Sequence, residues 1–110
     1  MKGTYLGEFE EIVLLATGIL NNAAYGVSIC NEIEHQSGRS VNIGAVHTAL
    51  HRLEEKGFLK SKFGEATEVR GGKRKRLFTL TSYGIKALRE AQELRNNMWS
   101  QFPKAILQRN

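Results

Sequence analysis

The 110-residue sequence predicts a mainly helical α+β domain, a winged helix-turn-helix with a two-stranded wing and a long C-terminal helix, on three observations. Apolar residues recur at helical spacing in four separate segments. Two short strand-like runs flank a polar turn between the third and fourth of them. Positive charge is concentrated around the same place: residues 39–76 hold ten Lys/Arg against four acids, a net +6, whereas the rest of the chain nets −1. A chain of this length fits one domain with one modest core.

Helix one spans Gly7 to Leu20, with Phe9, Ile12, Val13, Ala16, Ile19 and Leu20 at helical spacing. Glu8, Glu10 and Glu11 fall in its first turn, where the helix dipole favours acids, and Asn21-Asn22 ends it. Helix two runs from Tyr25 to Ser37, with Ile29 and Ile33 on one face and Gly38 at the left-handed C-terminal position. Ser40-Val41-Asn42 is too short for more than a bridge strand, and Asn42 or Ser40 is the candidate cap of helix three. There Val46, Ala49, Leu50 and Leu53 form one stripe, while Gly44, His47, Thr48, His51, Arg52 and Glu55 fall on the opposite face, and Gly57 stops the helix. Phe58 to Phe63 alternates as the first strand, with Lys60 and Lys62 on one side, and Leu77 to Thr81 returns as the second. The last helix runs from Ser82 to about Phe102, capped by Thr81 or Ser82, and Pro103 ends or kinks it. With no linker or repeat, residues 1–81 are expected to form the winged helix-turn-helix, helix one also contributing to a dimer, and residues 82–110 the dimerisation helix and tail.

Several function classes are excluded. The longest apolar stretch, Ile12 to Ala16, is far short of a membrane span, and the N-terminus lacks a signal-peptide layout, so the chain is expected in the cytoplasm with no membrane partner. Cys30 is the only cysteine, which rules out an internal disulfide and suits a small buried side chain. His47 and His51 have a metal-gripping spacing, but HTALH lacks the glutamate of a zincin motif and a third ligand would have to come from distant His35 or Cys30. No metal or other cofactor is therefore expected. Neither a nucleophile with its base nor a phosphate-cradling loop is present, so the chain is not expected to be an enzyme.

The charge points to a polyanion, and nucleic acid stands ahead of membrane because no apolar face accompanies it. In GGKRKRLFTLT, Gly71 to Thr81, a basic run continues directly into a strand. The strand anchors the run on the core and aims it at phosphates, which an unanchored tail would not do. The candidate contacts to double-stranded DNA are Ser40, Asn42, Gly44, His47, Thr48, His51 and Arg52 around helix three, with Lys60, Lys62, Lys73, Arg74, Lys75 and Arg76 in the wing. The alternative is a winged helix used for protein or RNA contact; a protein-binding version would carry exposed apolar residues on the outer face of helix three, which here is polar. The last helix, about 30 Å long, exceeds what a three-helix core can cover. A homodimer through Leu88, Ala91, Leu94, Met98, Trp99 and Phe102 is therefore expected, with Trp99 as an anchor or a platform for a flat aromatic effector.

The stretches LGEFEEIVLLA (Leu6 to Ala16), AYGVSICNEIE (Ala24 to Glu34), GAVHTALHRLEEKGFLKSKFGE (Gly44 to Glu65) and RGGKRKRLFTLTSYGIKAL (Arg70 to Leu88) resemble the PadR-type winged-helix transcriptional regulators. The resemblance covers nearly the whole chain to about Leu94. It implies a homodimeric DNA-binding regulator, most often a repressor, whose C-terminal helix builds the dimer and whose promoters are relieved by a ligand or signal. By position, Asn42 to Arg52 matches the recognition element, Lys73 to Arg76 the wing, and Ser82 to Phe102 the dimer helix. The chain departs from the family at His47 and Leu77, where tyrosines are common, and in its short C-terminal region.

Overall fold

Each periodic segment of the sequence folds as an element, in the order expected. The computed structural model describes residues 5–64 and 74–109. It contains α1 (Glu8–Leu20), a 3-10 turn (Asn21–Ala23), α2 (Gly26–Ser37), α3 (Ile43–Glu55), β1 (Leu59–Phe63), β2 (Arg76–Leu80), α4 (Ser82–Ser100) and α5 (Lys104–Leu107).

Local hydrogen bonds set the helix ends. Gly7 N–H donates to the Glu10 carboxylate at 3.5 Å, and Tyr25 N–H donates to Ser28 Oγ at 3.0 Å, so the first turns of α1 and α2 each bind back to the residue before them. Gly38, at φ 74°, closes α2 by donating its N–H to the Glu34 carbonyl. Asn42 Oδ1 accepts from the N–H groups of Gly44 and Ala45 at 2.7 and 3.2 Å, a cap that contributes about 1 kcal/mol.

Three backbone details refine the expectations. No β-bridge forms at Ser40-Val41-Asn42, because the Val41 N–H is taken by the Glu34 carboxylate at 3.0 Å. The backbone partner of β2 outside the hairpin is Ala24, whose carbonyl accepts from Phe78 N–H at 2.8 Å. Pro103 does end the long helix, but as the N-cap of a further short one, α5.

The core is one cluster: Val13, Leu14 and Ala16 of α1, Ile29 and Ile33 of α2, Val46, Leu50 and Leu53 of α3, Phe58, Leu59 and Phe78 at the hairpin, and Ala87 of α4. Cys30 lies at its edge, donating its thiol to the Val41 carbonyl at 3.3 Å. Burial, and then the Glu34 carboxylate, push that thiol's pKa up, which keeps it protonated as a packing group. The antiparallel register pairs Leu59 with Leu80, Ser61 with Phe78 and Phe63 with Arg76. Side chains alternate across a hairpin, so Ser61, Phe63, Phe78 and Arg76 share one face while Lys60, Lys62, Leu77 and Thr79 share the other. Ala87 is the last buried side chain of α4, and beyond it the helix leaves the core: Leu94 and Met98 are each 60% exposed.

Candidate nucleic-acid interface

The site is built on α3, whose inner stripe of Val46, Ala49, Leu50 and Leu53 is buried and whose outer residues are therefore fixed in direction. Gly44, His47, Thr48, His51 and Arg52 are all exposed. Thr48 donates its hydroxyl to the Gly44 carbonyl at 3.0 Å, which leaves its oxygen lone pairs outward. His51 Nε2 lies 3.8 Å from Glu55 Oε2, one turn along. The flanks of α3 are held by neighbours. Lys56 is paired with Glu10 of α1 at 3.1 Å, and the His47 ring packs so closely on Gly26 that a Cβ there would come within 2.6 Å of it. Before the helix, exposed Ser40 donates to Glu34 at 3.4 Å, and Asn42 commits its side-chain oxygen to the cap.

The wing meets this face through Tyr25, the N-cap of α2. Lys75 Nζ sits 4.3 Å from the centre of the Tyr25 ring and 3.3 Å from its hydroxyl. Tyr25 precedes Gly26, on which His47 packs, so Lys75, Tyr25, Gly26 and His47 form a continuous run of neighbours from the root of the wing to the first turns of α3. The cationic root of the wing is thus linked by contact to the first turns of α3. Arg74 is exposed beside Lys75, and Lys73 lies outside the described residues.

Two groups of expected contacts are oriented differently. Arg76 turns inward to Glu54 of α3, its Nη2 lying 2.8 Å from Glu54 Oε1. Lys60 and Lys62 are exposed on the hairpin face opposite the one that carries Arg76 and Ser61. Tyr25 is not among the contacts that the sequence singles out: it is fifty positions from Lys75, and nothing in a one-dimensional pattern joins the two. Among the described residues no three His, Cys, Asp or Glu side chains gather as metal ligands.

The second feature is the outer surface of α4 and α5. Glu11 of α1 and Arg95 of α4 form an ion pair at 2.6 Å that holds the two helices side by side. Beyond it Leu94, Met98, Trp99, Phe102, Ile106 and Leu107 are exposed, and the rings of Trp99 and Phe102 lie 4.7 Å apart. Leu88 and Ala91 are half-buried, Leu88 against the chain's own core.

Residues 15–90 match the model of the transcriptional regulator PadR-like family. A PadR family transcription regulator from hypervirulent Clostridium difficile R20291 superposes with a TM-score of 0.71 at 21% identity, covering 86% of this chain and 93% of that one. A PadR family transcriptional regulator from Eggerthella lenta DSM 2243 gives 0.68 at 22% identity, over 94% and 88% of the two chains. Bacillus subtilis PadR in complex with operator DNA gives 0.62 at 21% identity, over 77% of this chain and 46% of that one. No curated protein matches the sequence.

Proposed function

Because the chain belongs to the PadR-like family of transcriptional regulators, we propose that it acts as a homodimeric repressor that binds a palindromic operator. In this reading residues 1–81 engage the duplex and residues 82–110 build the dimer. Gly44, His47, Thr48, His51 and Arg52 read or position base edges in the major groove, with Ser40 and Asn42 at its entrance. Lys73, Arg74 and Lys75 hold phosphates, and Lys60 and Lys62 add to the field from the far face of the wing. The observation that carries the reading is the contact of Lys75 with Tyr25 beside His47, which supports one duplex touching α3 and the wing together. No helix among the described residues is long and apolar enough to cross a membrane. In this reading the protein acts in the cytoplasm, alongside its DNA. A small-molecule effector would act at the exposed Trp99–Phe102 pair, the aromatic platform at the C-terminal end of α4.

Selection of bound fragments from random duplex DNA with the purified protein is expected to return two inverted half-sites about one helical turn, roughly 34 to 36 Å, apart. Recovery of no enriched sequence would reject operator recognition. Replacing Lys73, Arg74 and Lys75 with alanine is expected to weaken binding to all duplexes alike. It should also flatten the dependence of log K on log salt by about 0.9 for each phosphate no longer neutralised. A slope equal to wild type in that titration rules out the wing as a phosphate clamp.

A further inference from the structure

We propose that Arg76, the last cation of the basic run, is a positioning residue that sets the angle of the wing against α3 and neutralises no phosphate; this rests on the DNA-binding reading above. Its guanidinium reaches back from β2 with Nη2 2.8 Å from Glu54 Oε1 and Nε donating to Ser61 Oγ at 2.9 Å. Ser61 in turn donates its hydroxyl to Glu54 Oε2. Three hydrogen bonds thus close a ring that joins α3, β1 and β2, with each carboxylate oxygen of Glu54 receiving one donor. The rings of Phe63 and Phe78 flank the guanidinium at 5.9 and 5.7 Å.

This geometry requires arginine. A planar fork presents two N–H groups at a fixed angle to two different acceptors, whereas a lysine ammonium on a flexible stem is a point charge. The pair also cancels its own charge, with Glu54 the more sheltered partner, its side chain 27% exposed against 49% for Arg76. The outward field of the run therefore comes from the residues before Arg76, of which Lys75 is oriented by Tyr25 and Arg74 is exposed. Among the described cations of the run, Arg74 and Lys75 face outward and Arg76 fixes where they stand.

The test compares R76K and the double variant E54A/R76A with wild type, by salt titration against the duplex enriched from random DNA, with urea unfolding of each protein in parallel. R76K keeps the charge and loses the fork; the double variant removes the ring without changing net charge. Both are expected to bind roughly tenfold more weakly, with the wild-type salt slope. Wild-type affinity for R76K, or a slope flattened by about 0.9 in the double variant, overturns the proposal and leaves the DNA-binding reading intact. Failure of wild-type protein to bind any duplex overturns both. Where those variants unfold, S61A removes a single hydroxyl from the ring, and the same weakening is expected from it; wild-type affinity for S61A would equally overturn the proposal.

Discussion

A variant carrying Leu94→Glu and Met98→Glu is expected to sediment as a monomer at micromolar concentration and to bind its operator at least about a hundredfold more weakly than wild type. Both side chains are 60% exposed, they lie one turn apart on α4, and Trp99, Phe102 and Ile106 continue the apolar surface. Covering Leu94 and Met98 in a two-fold interface contributes about 1 to 2 kcal/mol each. Symmetry places every substitution in the interface twice, so four new carboxylates would have to lose water there. Affinity for DNA falls with assembly because two half-sites held by one dimer act as a single ligand, whereas two monomers bind independently. Sedimentation equilibrium reads the first effect and a gel-shift titration the second. Wild-type protein that is itself monomeric at that concentration would overturn the dimer.

Gly84→Ala is expected to destabilise the fold by about 3 kcal/mol, although the same exchange in an ordinary helix position stabilises by about 1 kcal/mol. The first turn of α4 lies directly on the start of the hairpin. A Cβ at Gly84 would overlap the carbonyl oxygen of Phe58 and come within 3.3 Å of Leu80 Cδ2. That carbonyl cannot yield freely, since it accepts the Thr81 N–H at 3.1 Å and belongs to Phe58, whose side chain is fully buried and meets the Tyr83 ring at 4.9 Å. Urea unfolding followed by circular dichroism should show the midpoint lowered by about 2 M with an unchanged m-value. An unchanged or raised midpoint would mean that helix and hairpin do not approach this closely.

Most of the fold was legible in the sequence because its signals are local. The stripe Val46, Ala49, Leu50, Leu53 has helical period and is buried, and Asn42 and Gly38 punctuate the chain where they act. The site was legible only as an inventory. Exposure of the outer residues of α3 follows from burial of its inner stripe, but the partners of the basic run do not follow from anything nearby. Lys75, Arg76 and the two wing lysines look alike along the chain, yet one stacks on Tyr25, one bridges Glu54 and Ser61, and Lys60 and Lys62 share the reverse face of the hairpin. Strand parity alone could have separated Lys60 and Lys62 from Ser61; the link to Tyr25 required the tertiary fold. The extra backbone partner of β2 is hidden for a related reason. Ala24 carries no strand signature, and it bonds to Phe78 because the connection between α1 and α2 passes alongside that strand.

The chain has a single tryptophan, Trp99, and its side chain stands outside the hydrophobic core with 58% of its surface in contact with solvent. Its indole emission should consequently change less on unfolding of an isolated subunit than that of a core tryptophan would. Another surface closing over the end of α4 would shift that emission, so in ligand-free solution the native fluorophore is a label-free gauge of self-association.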